Sequence, residues 1–297
     1  MRVGFAGLGA LGRPMAAHFV EAHELTVWNR TGATADAFAS TYGATAAATP
    51  RDLAERSDIV ITCLPSSTEV ASLVAGPDGL LAGIRRGSLM IDCTSGDPIT
   101  TRKTAGLLAG QGVDFVDAPV SGGTAGAEAG TLTSMVGAEA ETFDRARAVL
   151  ENLCATIIHV GPIGAGHALK AVSNAILATN IIALGEGLTA AVRAGVPAST
   201  ALDVINASNA RSFASMELVP PRALTRAWPK TFRLALLDKD TRNAIEVIDA
   251  ENLPAPLLRT TSELLAEARS VLGEEADHVE VIKRAEAAAG VELRGEV

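Results

Sequence analysis

Cysteine is scarce in this sequence of 297 residues: Cys63, Cys93 and Cys154 are the three, and they lie far apart. They form neither a disulfide framework nor a CxxC zinc pattern, which points to a reducing, cytoplasmic setting. None of the five histidines stands at ligand spacing from another histidine or a cysteine, so no metal is expected. A basic block is also missing: 25 Lys and Arg against 34 Asp and Glu leave a formal net charge of −9. Nucleic acid is therefore not an expected partner, whereas small anions need only local positive groups. The N-terminus, MRVGFAGLG, lacks the layout of a signal peptide. The most apolar long stretch, Ala168 to Val192, is interrupted by Lys170, Asn174, Asn180 and Glu186. A membrane span needs about 20 nearly unbroken apolar residues, so this stretch reads as a buried helix and no membrane partner is expected. Internal repeats and low-complexity tails are absent.

What is present is the composition of a globular protein, 48% apolar and 20% charged. At roughly 150 residues per domain the length suggests two domains. The first half alternates apolar runs (Val3–Ala6, Leu25–Trp28, Ile59–Cys63, Ser88–Asp92, Asp114–Val116, Thr133–Val136 and Thr156–Val160) with helical stretches such as Pro14–Glu21, Thr34–Phe38, Arg51–Arg56 and Thr100–Gln111. This predicts a doubly wound, mainly parallel α/β sheet. The last runs stand closer together, as antiparallel pairing would allow. From Ile163 to Arg193 one long helical pattern runs to Gly195-Val196-Pro197, a glycine stop followed by proline. Further helices follow at Ala198–Asn206, around Leu236–Glu251 and at Thr260–Leu272, with loops at Pro220-Pro221 and Pro254-Ala-Pro256. The expected architecture is a doubly wound α/β domain over residues 1–162 and an all-α domain over 163–297.

Gly7-Leu8-Gly9-Ala10-Leu11-Gly12 matches G-x-G-x-x-G directly after the first strand pattern and before a helix. Gly7 would permit the tight turn, Gly9 would let a pyrophosphate approach the backbone, and Gly12 would let helix and strand pack closely. An ordinary glycine turn is the plainer alternative. At the end of the second strand, where a cofactor with a free 2′-hydroxyl usually meets an acidic residue, stand Asn29-Arg30-Thr31. A guanidinium suits a phosphate, so the trio reads as a site for the 2′-phosphate of NADP, with NAD possible. A solvated surface arginine is the alternative.

Two later stretches carry chemistry. Asp117-Ala-Pro-Val-Ser121-Gly122-Gly123 ends an apolar run with a hydroxyl and two unhindered N–H groups, able to hold a carboxylate or simply to turn the chain. In Gly161-x-x-Gly164-x-Gly166-x-x-x-Lys170-x-x-x-Asn174, the lysine and asparagine share a helix face among Leu169, Val172, Ile176 and Leu177. Burial there would make Lys170 usable as an acid or base; a snorkelling lysine at a helix edge is the alternative. The glycines before it would let another group approach the helix start. His167 lies one turn before Lys170 and either tunes it or merely starts the helix.

Taken in this order, the glycine fingerprint, Asp117–Gly123 and the Gly161–Asn174 pattern resemble the β-hydroxyacid dehydrogenase family, and within it the 3-hydroxyisobutyrate dehydrogenases. Cys63-Leu64-Pro65, Lys239-Asp240 and Asp277-His278 extend the likeness over almost the whole chain. The resemblance implies an α/β Rossmann-type N-terminal domain, an all-α C-terminal domain and a nicotinamide cofactor. Separately, an apolar helical domain of this size often buries a face against a copy, so a homodimer or homotetramer is expected. It implies Lys170 as the catalytic lysine, Ser121, Gly122, Gly123 and Asn174 as substrate-binding, and Leu64, Pro65, Ser95 and Lys239 on the cofactor. The related 6-phosphogluconate dehydrogenases carry His where this chain has Ser173, and similar imine reductases usually lack the lysine. Asp92-Cys-Thr94-Ser95 departs in order from the family's Ser-Thr pair. The implied reaction is oxidation of a small β-hydroxyacid by NADP. The alternatives are reduction of a small aldehyde acid and a non-catalytic NADP-binding regulator.

Overall fold

The computed structural model describes residues 1–295, and two compact units divide the chain, one from Met1 to Lys170 and one from Ala171 onward. In the first unit the strands are β1 (Arg2–Ala6), β2 (Glu24–Trp28), β3 (Thr45–Ala46), β4 (Ile59–Thr62), β5 (Leu89–Asp92), β6 (Asp114–Asp117), β7 (Val120–Ser121), β8 (Leu132–Gly137) and β9 (Cys154–Gly161). Between them lie α1 (Gly12–Ala17), α2 (Gly32–Tyr42), α3 (Pro50–Glu55), α4 (Ser67–Ala75), α5 (Pro98–Gly110), α6 (Gly123–Ala129) and α7 (Ala140–Leu150). The sheet order is β3-β2-β1-β4-β5-β6-β8-β7, with β9 on the other edge of β8.

The first six positions are parallel and follow the Rossmann order, which places the topological switch between β1 and β4. Both faces of these strands are covered, which explains their unbroken apolar runs. Ile59 and Ile61 of β4 join the core on one face, and Val60 joins the core on the other. Leu89, Ile91 and Met90 of β5 divide in the same way. Burying each such side chain contributes about 1.5–3 kcal/mol.

The tail of the sheet is mixed. β8 runs antiparallel to β6 and β7, but β9 is parallel to β8, because α7 carries the chain back between them. Close spacing of the last runs therefore predicts the wrong direction for β9. The two-residue strands β3 and β7 leave no apolar run to read. α1 stops at Ala17, short of the predicted Glu21, and continues as turns.

A single helix, α8 (Ala165–Arg193), begins in the first unit and runs on into the second. The compact units divide inside its first turns, just after the N–H groups of Gly164 and His167 donate to the Asp117 carboxylate of β6. The second unit is helical: the rest of α8, α9 (Ala198–Ala207), α10 (Leu234–Ala250), α11 (Pro256–Leu272) and α12 (Ile282–Ala289). Ile181, Leu188, Leu202, Leu237, Leu265 and Val279 form the middle of its core. Pro220-Pro221 is not a loop but opens a π-helical turn, Pro220–Leu224. The first position of a helical turn needs no N–H, so proline is tolerated there. Asp277 takes the N–H groups of Thr231, Phe232 and Val279, which fixes the Asp277-His278 corner structurally.

By length and composition α8 could cross a membrane, and a third of its most apolar window is buried. The expected buried helix is thus corrected to one buried along part of its surface. Ala171, Ala175 and Ala178 face inward, while Leu169, Ile176, Ala183 and Ala190, each seven residues on, are exposed together with Ser173, Asn180 and Gly187.

Candidate active site

The glycine loop leaves the carboxyl end of β1. Gly7 adopts φ +102°, and a Cβ there would lie 2.3 Å from the Cys63 carbonyl oxygen. A Cβ on Gly12 would lie 2.0 Å from the Gly7 carbonyl, so this helix start packs hard against the turn. Around Gly9 the situation is reversed: no atom lies within 4 Å of its would-be Cβ. The loop thus gives each glycine a different physical reason, and the open one stands where a pyrophosphate would approach. Leu8 is buried, Leu11 half-buried, and Ala10 exposed beside Gly9.

At the end of β2, Asn29 accepts the Leu8 N–H at 3.1 Å and donates to the Thr31 carbonyl at 3.2 Å. Its amide braces the glycine loop against the next turn. Arg30 and Thr31 are exposed, and Thr31 precedes α2 without capping it through its side chain. A cation and an uncapped helix start therefore share this rim, a fitting arrangement for a phosphate.

The loops after β4 and β5 flank the switch point. Leu64 packs near Gly7, and its N–H donates to the Thr94 hydroxyl at 3.1 Å. Pro65 beside it is exposed. Thr94 is buried and occupied, whereas Ser95 is partly exposed. The altered order of this pair thus puts the partly exposed residue at Ser95. Asp92 beneath them accepts the Thr62 hydroxyl at 2.8 Å and the Thr94 N–H at 3.1 Å.

Ser121 ends β7 against Thr133 of β8. Gly122 (φ +134°) and Gly123 (φ +63°) then turn the chain into α6, which has no side-chain cap. The Leu132 methyl lies 2.9 Å from a Cβ on Gly122, while Gly123 faces open space. Left-handed glycines leading into uncapped N–H groups form a concavity for an anion.

The start of α8 is held by Asp117. Its carboxylate accepts the Gly164 N–H at 2.6 Å and the His167 N–H at 2.9 Å, and burial raises its pKa above the usual carboxylate range. A Cβ on Gly166 would sit 2.3 Å from the Met135 carbonyl. The group that the glycines admit is thus the protein's own sheet. Lys170, one turn on, is buried at 9% exposure, which rules out a snorkelling side chain. Of its predicted neighbours, Leu169 and Ile176 point away to solvent, while Val172 packs with Ala171, Ala175, Ala244 and Leu258.

One turn after Lys170, Asn174 is also buried, and its Nδ2 donates to Asp240 Oδ2 at 2.6 Å. Asp240 also pairs with Lys239 at 3.0 Å. A carboxylate only accepts, so the amide oxygen of Asn174 is turned away from it and stays an acceptor. Asp117 and Asp240 are the supporting residues that motif reading passes over. Each sits inside or beside a motif quoted for other reasons, and only the fold shows what its carboxylate binds. Among the described residues no group of three or more His, Cys, Asp or Glu side chains could hold a metal ion.

Comparison with known proteins agrees over both halves. The NAD binding domain of 6-phosphogluconate dehydrogenase matches residues 2–161. The NAD-binding region of NADP-dependent 3-hydroxyisobutyrate dehydrogenase matches residues 164–285. The chain is similar to 2-(hydroxymethyl)glutarate dehydrogenase of Eubacterium barkeri, at 36% identity over 99% of this chain and 98% of that one. It is similar to 2-hydroxy-3-oxopropionate reductase of Escherichia coli, at 33% identity over 99% and 100%. Among solved structures, the 3-hydroxyisobutyrate dehydrogenase of Mycobacterium tuberculosis with L-serine superposes with a TM-score of 0.88, at 32% identity over 96% of this chain and 99% of that one. The dinucleotide loop, the buried lysine and these likenesses along nearly the full length agree: the chain belongs to the β-hydroxyacid dehydrogenase family, whose members are NAD(P)-dependent oxidoreductases.

Proposed function

We propose that the protein catalyses reversible oxidation of a small β-hydroxyacid to its semialdehyde with NADP as the favoured cofactor, 3-hydroxyisobutyrate to methylmalonate semialdehyde being the leading substrate pair. The observation that carries this is a buried Lys170 on a helix start pinned by Asp117, in the same unit as the Ser121–Gly123 concavity. The dinucleotide would be held by Gly7 to Leu11, Leu64, Pro65, Ser95 and Lys239, with its 2′-phosphate on Asn29, Arg30 and Thr31. When bound, it supplies the hydride acceptor or donor. The chain's own residues do the rest. Ser121 and the N–H groups of Gly122 and Gly123 take the substrate carboxylate. The Asn174 amide oxygen accepts the substrate hydroxyl. Neutral Lys170 removes the hydroxyl proton as the carbon gives up hydride, and its ammonium form returns that proton in reverse.

A second reading, reduction of glyoxylate, succinic semialdehyde or a related aldehyde acid, is favoured by the likeness to the Escherichia coli reductase. Retention of Lys170 and Asn174 argues against a silent cofactor-binding regulator. We infer a cytoplasmic homodimer or homotetramer with a small carboxylate as its partner, and neither nucleic acid nor membrane. The exposed seven-residue repeat of α8 supports self-association.

The test is a substrate panel with Lys170 variants. Lys170→Ala should bind NADP normally and lose about 10²- to 10⁴-fold in kcat. Lys170→Arg should recover little, since a guanidinium keeps its proton at working pH. In the wild type, oxidation should strengthen and reduction weaken as pH rises, because oxidation needs the neutral amine. A fully active Lys170→Arg, or oxidation independent of pH, would make Lys170 a binding charge only.

A further inference from the structure

His167 has no part in the reaction described above, yet it is completely buried. Its Nδ1 lies 2.7 Å from the Thr101 hydroxyl. That hydroxyl is itself 2.6 Å from the Asp97 carbonyl, which can only accept. The single hydroxyl proton is thus spent on Asp97, and the Nδ1–H of His167 must donate to Thr101. The Asp97 carboxylate in turn caps α5 through the Thr100 N–H at 2.7 Å. Its own N–H donates to Ser67 at 2.9 Å. The ring also lies over the backbone of the loop that carries Ser95: a Cβ on Gly96 would come within 3.0 Å of both Cε1 and Nδ1. On the far side, Nε2 has no hydrogen-bond partner and stands 4.0 Å from Asp92, the carboxylate under Thr94. One imidazole therefore touches the floor of the Thr94–Asp97 loop from the first turn of the helix that carries Lys170.

We propose that His167 is a positioning residue: through the Nδ1–H bond to Thr101 it holds the Ser95 loop and the Lys170 helix in fixed register. This rests on the dehydrogenase reading above and assigns the coupling between its cofactor loop and its base. Displacing a reacting group by about 1 Å can cost on the order of 10²-fold, so a small slip is enough to matter.

The two ring nitrogens can be separated by substitution. His167→Asn puts an amide N–H where Nδ1 stands. His167→Gln puts its polar end where Nε2 stands and abandons Thr101. The Gln variant should keep the acid KM within twofold, lose roughly 10- to 100-fold in kcat, and bind NADPH about three- to tenfold more weakly by fluorescence titration. The Asn variant should recover most of both losses. Thr101→Val should reproduce the Gln phenotype, and the double variant should be no worse than either single one. A folded Gln or Thr101→Val variant with kcat and NADPH affinity within twofold of wild type overturns the proposal. So does an Asn variant as impaired as the Gln variant. Wild-type protein inactive on every acid would instead sink the dehydrogenase reading, and the NADPH affinities would still decide the role of His167.

Discussion

Arg30 shows how far one side chain can be read from its neighbours in sequence. It stands exposed at the end of β2, beside an uncapped helix. A charge-assisted bond to a 2′-phosphate contributes about 1.5–3 kcal/mol, or roughly 10- to 100-fold in affinity. Arg30→Asp should abolish the preference for NADP over NAD, measured as the ratio of kcat/KM for the two cofactors. A wild-type enzyme that prefers NAD would refute the reading of the rim. The glycines of the loop were legible because backbone geometry leaves no other residue type at Gly7 and Gly12. Asn29 was legible as a member of the expected 2′-phosphate trio; its commitment to the Leu8 N–H depends on a strand-to-loop contact between residues 21 apart. Asp240 was hidden for the same reason, since its bond to Asn174 joins residues 66 apart.

Strands and helices were legible where they were long. β4 and β5 announce themselves as apolar runs because both faces of the sheet are covered, and α8 because its pattern lasts eight turns. The direction of β9 was not legible, since pairing is decided by the connection and not by the strand. At the start of α8 a carboxylate does the work of a cap from another element, so no local motif shows it. Asp117 is buried and its pKa is raised, so the folded protein binds its proton more tightly than the unfolded chain. The wild type therefore loses stability, relative to an unionisable variant, as pH rises from the ordinary carboxylate range through the raised value. Asp117→Asn keeps one acceptor and turns an amide towards the other N–H, so it should be destabilised by about 1–3 kcal/mol. That deficit should be largest in acid and shrink towards neutrality in urea titrations. A deficit that grows with pH would show that the folded site favours the ionised carboxylate.

The proposed self-association would use the outside of α8. Leu169, Ile176, Ala183 and Ala190 recur every seven residues, with Ser173, Asn180 and Gly187 between them, all exposed. This is the spacing of a helix seam, narrow and mostly small, and the sequence reading took the same residues for core. Ile176→Glu would set two carboxylates against each other across a two-fold contact. Light scattering after gel filtration should then report a single protomer with unchanged circular dichroism. A mass equal to that of the wild type would place the contact elsewhere. The cysteines bear on how such work is done. Burial raises the Cys63 and Cys154 thiols to about 12 and the Cys93 thiol well above its usual value. At neutral pH almost none of the reactive thiolate forms. The native protein should therefore react slowly with maleimides, with half-buried Cys63 the first of its three thiols to be labelled, and a dye coupled briefly to a cysteine introduced on its surface should report mainly from that position.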